Sequence, residues 1–433
     1  MFNKDVASNF IVGLCFIAAG LVMFFIPNRV FSLILNTSII LLLINGVYLL
    51  IRFLKHKKKS DLLFLILSIL FALFLVDHET IPQWIIRVAF GLYCYISTLA
   101  SLIQLVINYI NDIPDKFYHF LMIVAYGILG FNLLFVDEFE TDLLLRLFGI
   151  YFILLGSRYF NDASVGVNPL LKYEWKRKIR ISLPTIMCAF IPDWALTSIN
   201  RYLSSGKPFA LEKKDYEDDQ ILKVMVHVGP NGIQKVGHIT FSYKGIVYSY
   251  GNYDEESFRL NQTIGDGVFF TVPFEYYIPN MMSAENNSIF EYGIQIKKEQ
   301  EALIEQELEA FKNNSYRWYC KIEREYGYDR FNEYKENYPS RLHYKTGAKF
   351  YKFKSGRFKT YWALGDNCAL FTDRILGKLG CDVLSMRGII SPGTYLEYLQ
   401  GEYIKKNSPV VSLKIYSIEA KSIGYPKSFR VLA

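Results

Sequence analysis

The sequence lacks paired cysteines, and its apolar N-terminal part lacks most ionisable side chains. The six cysteines, at positions 15, 94, 188, 320, 368 and 381, have neither disulfide-type nor metal-type spacing. This spacing gives no indication of a disulfide framework or a zinc site. It favours reduced thiols in a cytosolic setting, and we expect no metal and no cofactor. The first apolar run also lacks a small-residue cleavage pattern, which argues against a cleaved signal peptide.

Long apolar runs dominate the first 160 residues, whereas the remainder is polar and rich in tyrosine. Six runs are long enough to cross a bilayer, at residues 9–26, 31–54, 62–76, 85–109, 120–136 and 143–160. We therefore predict three parts along the chain. Residues 1–160 form an α-helical membrane domain of six transmembrane helices, 161–220 a basic interfacial linker, and 221–433 a globular α+β domain with an antiparallel sheet.

The six predicted spans form three hairpins with a period of roughly 55 residues, which indicates an internal repeat. Glycines recur near matching ends of the spans, as close helix packing requires. They are Gly13, Gly20, Gly46, Gly91, Gly127, Gly130, Gly149 and Gly156. In these repeated hairpins the chain resembles the HdeD-type acid-resistance membrane proteins.

Charged residues beside the spans predict the orientation of the membrane domain. Basic residues cluster after the second and sixth spans, while the loops at residues 77–79 and 137–138 are acidic. By the positive-inside rule we expect both termini, and with them the C-terminal domain, to lie in the cytoplasm. The membrane is expected to be a bacterial inner or plasma membrane. The same cations match an anionic phospholipid surface better than nucleic acid. Span interiors carry the amides Asn36, Asn45, Gln104 and Asn132 but few ionisable groups, which favours an anchor over a transporter or channel.

The linker contains two segments that we assign to the membrane surface. Residues 172–178 read as an interfacial helix with an aromatic anchor and snorkelling cations. Residues 181–199 are apolar but interrupted by Pro184, Pro192 and Asp193. This pattern favours a helix that lies on or dips into the bilayer. If the segment spans instead, the globular domain lies outside.

Cys368 is the strongest candidate nucleophile. It lies at the start of a predicted amphipathic helix with Asp366 or Asn367 as N-cap and with Phe371, Ile375 and Leu379 on the core face. Unpaired N–H groups and the helix dipole favour a thiolate in the first turn. The alternative is an inert core cysteine, because cysteine is among the most buried residue types.

The matching base is His238, in a predicted hairpin that turns at Lys244-Gly245. With that turn, Tyr243 pairs with Ile246, and His238, Thr240 and Ser249 share one face of the sheet. Ser249 is then placed to orient the imidazole. The alternative is that Ser249 has no catalytic role and is simply a small polar residue on a polar face of the sheet. Asn252 is the reserve candidate for this role.

Other polar residues receive structural interpretations. His227, on a strand of valines and a methionine, reads as a structural histidine, and His343 sits among basic residues. The basic, aromatic stretch 341–359 is interpreted as a strand pair, with a solvated face or contacts to anionic headgroups or substrate. An amphipathic helix is predicted at 296–311, with Leu303, Ile304, Leu308 and Phe311 on its apolar side.

Three short motifs carry a resemblance to a known superfamily. They are Gly237-His238-Ile239-Thr240, residues 248–254 (YSYGNYD) and Asp366-Asn367-Cys368. In their order the domain resembles circularly permuted papain-like proteins of the NlpC superfamily, which include the lecithin:retinol acyltransferase-like enzymes. It is most similar to a bacterial membrane-associated family of unassigned activity, in which asparagine more often stands at the position of Ser249.

The resemblance implies a permuted papain-like thiol hydrolase or acyltransferase acting on an amide, ester or thioester. Cys368 would attack, His238 would move the proton and Ser249 would orient the imidazole, with Asp366, Asn367 and Asn252 in support. The expected partners are membrane phospholipid and an acyl-bearing lipid or peptide substrate. The alternative is a non-catalytic membrane stress-response protein whose globular domain binds a partner or lipid.

Overall fold

The computed structural model describes residues 4–77, 80–136, 141–167, 185–204, 220–229, 236–380, 391–405 and 408–416. The chain divides into two compact units. One comprises Ala7–Ile103 and Phe117–Asn161, and the other comprises Met1–Val6, Gln104–Lys116 and Asp162–Ala433. The second of these is called the globular unit below.

The N-terminal part of the chain consists of helices whose bounds match the predicted spans. They are α1 (Lys4–Phe25), α2 (Pro27–His56), α3 (Lys59–Asp77), α4 (Thr80–Ile110), α5 (Lys116–Phe135) and α6 (Thr141–Val167). Among the described residues, six helices are long and apolar enough to cross a membrane. The prediction of six such helices is confirmed, because uninterrupted apolar runs of this length have a strong helical signal.

Small residues allow close contacts between these helices. A Cβ added to Gly20 would lie 2.6 Å from the carbonyl oxygen of Gly149, which brings α1 against α6. Gly91 of α4 meets Leu134 of α5, and on α2 the amide of Asn45 donates to Ser68 of α3. Each of these contacts joins neighbouring predicted hairpins. The glycines therefore serve contacts between hairpins, as van der Waals packing of apolar helices favours.

The globular unit contains an antiparallel eight-stranded sheet in the order β10-β6-β1-β2-β3-β5-β8-β7 and a second sheet of β4 and β9. The predicted antiparallel sheet is confirmed. The strand bounds are β1 (Leu222–Val228), β2 (His238–Tyr243), β3 (Ile246–Gly251), β4 (Ile264–Asp266), β5 (Val268–Pro273), β6 (Ser288–Ile294), β7 (Ser315–Trp318), β8 (Lys349–Phe353), β9 (Thr360–Trp362) and β10 (Val410–Tyr416).

Helices cover both faces of the large sheet. They are α7 (Thr185–Ser204), α8 (Phe274–Ser283), α9 (Lys298–Asn313), α10 (Lys321–Arg324), α11 (Phe331–Tyr334), α12 (Tyr338–Thr346), α13 (Cys368–Leu376) and α14 (Pro392–Ile404). One core layer joins α9, α13 and α14 to the sheet, with Phe371 and Tyr250 at its centre. The other joins α8, α10 and α12 to the opposite face, around Phe270 and Leu342. Burial on both faces explains why the strands are so rich in aromatic and branched residues.

Two sequence interpretations need correction in this unit. The stretch 341–359 is not a strand pair, because its first part belongs to α12 and only Lys349–Phe353 forms a strand. Asn337 caps α12 and Pro339 lies in its first turn, two helix-start signals that precede the basic run. Leu303 is 40% exposed rather than on the buried side of α9, where Ile304 and Phe311 are buried.

The predicted linker is described only in part. The interfacial segment 172–178 lies outside the described residues. The apolar segment that follows forms α7, and Ile191, Ala195 and Leu196 pack against the core layer that contains α14. The sequence predicted a helix here, but it placed that helix at the bilayer instead of against the protein core. An apolar helix face has the same sequence pattern whether protein or lipid covers it.

Candidate active site

The hairpin of β2 and β3 positions His238 and Ser249. Its register pairs Tyr243 with Ile246 and Phe241 with Tyr248, so the predicted turn and the pairs beside it are confirmed. The further pairs that the same register predicts, Thr240 with Ser249 and His238 with Gly251, are not formed. Lys244 and Gly245 both have positive φ, as a two-residue hairpin turn requires. His238 Nε2 lies 2.8 Å from Ser249 Oγ, across the face that the register predicted.

Tyr253 completes this polar cluster, and sequence reasoning missed it. Its hydroxyl lies 2.8 Å from Ser249 Oγ and 3.2 Å from His238 Nε2. Tyr253 follows β3 and turns back over it, stacking on Tyr338 of α12. The only signal in the sequence was its place in the YSYGNYD segment. Strand periodicity does not predict the direction of a side chain that lies beyond the end of the strand.

The hydroxyl contacts fix which nitrogen of His238 faces them. Nε2 contacts both hydroxyl groups, so Nδ1 is the nitrogen left for another partner. Burial lowers the pKa of His238 to about 4. The imidazole is therefore neutral at pH 7, as a proton acceptor must be.

Cys368 is the first residue of α13, as predicted. The N-cap is Asn367, whose Oδ1 accepts from Ala369 N at 3.0 Å and from Leu370 N at 3.2 Å. The Asn367 side chain also donates to the Ala363 carbonyl at 3.0 Å, which holds the turn before the helix. Phe371, Ile375 and Leu379 are buried, so the predicted core stripe is confirmed.

The thiol of Cys368 is 4% exposed and is not a thiolate at neutral pH. Burial raises the pKa of Cys368 to about 11, while the N–H groups of Ile239, Ala369 and Cys368 itself act in the opposite direction. The expectation of a favoured thiolate is therefore wrong. Loss of solvation of the buried sulfur therefore raises the pKa more than the N–H groups of the helix start lower it.

An opening between β2 and β3 brings Cys368 towards His238. The β2–β3 pairs end at Phe241 and Tyr248, although β2 stays paired with β1 as far as His238. In a continued ladder the Ile239 N–H would point at β3, but here it acts on the Cys368 sulfur instead. The sulfur therefore lies beside the residue that follows His238. No hydrogen bond joins this thiol to the imidazole among the described residues, which both belong to the range 236–380.

The other predicted supporting residues lie away from the imidazole. Asn252 donates to the Gln262 carbonyl at 3.1 Å, so the structure does not bring it to His238. Asp366 is buried, and its Oδ2 accepts from Gln104 Nε2 at 2.8 Å. Asp366 is thus an anchor for the loop before Cys368 and is not the N-cap.

Gln104 belongs to a polar face at the end of α4 that lies within the globular unit. Asn111 donates to Thr360 at 3.0 Å, and Asp115, just beyond α4, pairs with Arg357. Burial raises the pKa of Asp366 to about 6, although Arg357 and Gln104 both act to lower it and Asp115 to raise it. A span amide that the sequence left without a role therefore holds the carboxyl two residues before Cys368.

Comparison of this chain with protein-family models, curated proteins and solved structures gives no match. The site is therefore interpreted from its own geometry. It combines a neutral imidazole held by two hydroxyl groups, a neutral thiol at a helix N-terminus and a strand opening between them.

Proposed function

We propose that this chain is a membrane-anchored thiol hydrolase or acyltransferase of permuted papain-like architecture. The observation that supports it is the His238–Ser249–Tyr253 cluster at the strand opening where Cys368 begins α13. A buried histidine with one nitrogen fixed by hydroxyls and a cysteine at a helix start have the residue types of an acyl-transfer pair. The six apolar helices provide the anchor, with the globular unit in the cytoplasm of a bacterial cell.

Before substrate binds, the Cys368 thiol and the His238 imidazole are both neutral, so the reaction begins with a proton transfer. In the tautomer with hydrogen on Nε2, His238 donates to a hydroxyl and Nδ1 carries a lone pair. When substrate binds, the thiol proton passes to Nδ1 and the sulfur bonds to the acyl carbon. The carbonyl electron pair moves to oxygen, where the Cys368 N–H at the helix start stabilises the negative charge.

The second half of the reaction returns the proton. The tetrahedral intermediate collapses, the bond to the leaving amine, alcohol or thiol breaks, and the imidazolium protonates that leaving group. Water or an acceptor alcohol or amine then attacks the thioester, with its proton taken by His238, and the thiol is restored. Lipid esters and lipid-modified peptides are the favoured substrates, because the anchor places the enzyme at a bilayer.

A trapping experiment tests this proposal. The full chain in detergent is incubated with a p-nitrophenyl fatty acyl ester, and the acyl adduct is located by peptide mass spectrometry. We expect a burst of p-nitrophenol and a hydroxylamine-sensitive adduct at Cys368. The burst disappears in Cys368→Ser and persists in Cys15→Ser, which removes an exposed cysteine of α1. No adduct at Cys368, or a burst that survives in Cys368→Ser, contradicts the proposal.

One observation favours a second function. The Cys368 thiol is nearly inaccessible and carries a raised pKa, as an inert core cysteine does. Under that alternative the globular unit binds a partner or lipid without catalysis. Wild type and Cys368→Ser would then bind anionic vesicles equally while neither forms an adduct.

A further inference from the structure

A second cluster of metal-type ligands lies on the other side of the sheet from α13. It consists of Cys320, directly before α10, Glu323 within α10 and His343 on α12. One ligand atom from each residue lies within 4.8 Å of the others. The sequence did not predict this cluster, because a cysteine, a glutamate and a distant histidine have no recognisable metal-binding spacing.

The imidazole of His343 has its tautomer fixed by the backbone. Its Nδ1 lies 2.8 Å from the Ala348 carbonyl oxygen, which only accepts, so Nδ1 carries the hydrogen. Nε2 therefore has a lone pair, towards which the Tyr328 hydroxyl donates at 2.9 Å. The same nitrogen lies 3.7 Å from Glu323 Oε1. In metal sites, a hydrogen bond donated by one imidazole nitrogen to a carbonyl oxygen commonly orients the ring, so that the other nitrogen binds the metal.

The sulfur of Cys320 faces the same carboxylate. Cys320 is 0% exposed, and its Sγ lies 3.1 Å from Glu323 Oε2. The Cys320 N–H donates to that oxygen at 3.1 Å as part of a capping box. Cysteine is an unusual residue at this position, because serine, threonine, aspartate and asparagine are the preferred N-caps.

We propose that Cys320, Glu323 and His343 bind a divalent transition metal ion of the zinc type. The ligands are the Cys320 sulfur, a Glu323 carboxylate oxygen and His343 Nε2, a sulfur, oxygen and nitrogen set that zinc accepts. Zinc lies about 2.3 Å from sulfur and about 2.0–2.2 Å from nitrogen and oxygen, so ligand atoms around it are roughly 3–4 Å apart. The three ligand atoms lie within 4.8 Å of one another, so they need to move together by only about 1 Å to reach this spacing.

Charge and access also fit a bound cation. On binding, the thiol proton passes to solvent and the Tyr328 hydroxyl rotates away from Nε2. The Cys320 thiolate and the Glu323 carboxylate are then the two anionic ligands of the ion, while Arg317 keeps its ion pair with Glu323 Oε1. The side chains of Glu323 and His343 are 10% and 15% exposed and Tyr328 is 44% exposed, so solvent reaches the edge of the cluster. This inference is independent of the acyl chemistry proposed for Cys368.

Cobalt(II) is the probe that tests the site. The full chain in detergent is treated with a chelator, desalted and titrated with Co²⁺ alone. We expect one equivalent to bind with an intense near-ultraviolet band, which arises from thiolate-to-cobalt charge transfer. The band disappears in Cys320→Ser and persists in Cys15→Ser. His343→Gln weakens Co²⁺ binding by more than about 100-fold, because loss of an outer-shell partner alone costs about 10–100-fold.

A second variant shows whether loss of Co²⁺ binding comes from a lost ligand or from misfolding. Glu323→Gln keeps an acceptor for the capping box but lacks the anionic ligand, so it folds and binds Co²⁺ more weakly. Circular dichroism and elution volume check the fold of each variant. Absence of the charge-transfer band in wild type, or its survival in Cys320→Ser, overturns the proposal. Equal affinity of wild type and Glu323→Gln also overturns it.

Discussion

Two buried cysteines of the globular unit each lie near a histidine, yet their surroundings differ in charge. Cys368 begins a helix that packs on aromatic side chains, and the nearby imidazole of His238 contacts two hydroxyl groups. Cys320 faces the carboxylate of Glu323, which also pairs with Arg317. A cysteine and a histidine therefore indicate no chemistry by themselves, because the groups around them decide which reaction is available.

The two thiols also differ in what keeps them protonated. Burial raises the pKa of Cys368 to about 11. Burial, together with the hydrogen bond and negative charge of Glu323, raises the pKa of Cys320 to about 12. In the proposed reactions the imidazole of His238 takes the proton of Cys368, whereas Cys320 gives its proton to solvent when a metal ion binds. The first arrangement suits transfer of an acyl group and the second suits a metal ion.

Replacing each of the two cysteines by serine should have the largest effect, because each substitution removes one signal, the acyl adduct or the cobalt band, and leaves the other. Cys368→Ser abolishes acyl-enzyme formation, lowering the rate by roughly a thousandfold or more because the nucleophile is lost. It keeps the cobalt charge-transfer band. Cys320→Ser keeps the acyl adduct and loses the band. Stopped-flow release of p-nitrophenol and the Co²⁺ titration measure the two effects, and loss of both signals in either variant would break the comparison.

Substitution of the two histidines should also affect the two signals separately, with a smaller loss than substitution of the cysteines. His238→Ala removes the proton acceptor and lowers the burst rate by about 10²–10⁴-fold. His343→Gln keeps the burst. The rate in wild type falls as pH drops towards about 4, because His238 is protonated only below that value. We expect a burst rate that is constant from pH 7 to about 5 and falls to half near pH 4, whereas a fall centred near 6.5 would contradict a neutral imidazole of lowered pKa.

Alkylation of Cys368 by iodoacetamide should be slow at neutral pH. With a pKa of about 11, the thiolate fraction at pH 8 is roughly a hundredfold smaller than for an unperturbed thiol of pKa about 8.5. The rate therefore rises with pH up to about 11. His238→Ala leaves it nearly unchanged, because a neutral imidazole forms no ion pair with the thiol. Fast labelling at pH 7 that depends on His238 would show a thiolate–imidazolium pair instead.

Gln104→Leu should give the smallest change. It leaves the buried Asp366 carboxyl without its amide donor, which costs about 1–3 kcal/mol. The carboxyl pKa then rises above about 6, and the displaced loop slows the Cys368 burst by roughly tenfold. Asn132→Leu is the matched control, because that span amide donates to the Ile128 carbonyl of its own helix. Equal burst rates in both variants would show that Gln104 has no positioning role.

Local signals account for the parts of the fold and site that were predictable. The turn at Lys244-Gly245 fixed the β2–β3 register and thereby placed Ser249 across from His238. The cap and apolar stripe placed Cys368 at the start of α13. Each of these depends on residues close together in sequence, where the periods of strands and helices apply.

Tertiary contacts explain the parts that were missed. Tyr253 reaches His238 only because the chain turns back after β3, and Gln104 reaches Asp366 from a helix far away in sequence. The predicted thiolate was wrong for the same reason. The pKa of Cys368 depends on how deeply neighbouring elements bury it, and no local pattern reports that burial.

By itself the sequence determined the six apolar helices, the β2–β3 register and the helix start at Cys368, because apolar periodicity, turn residues and caps act within a few residues. Only the tertiary structure decided which polar groups surround each cysteine. Those contacts join distant segments such as Cys320 and His343, or Gln104 and Asp366. Their formation depends on how whole helices and strands pack, since desolvation and hydrogen bonding are set by all the neighbours in space.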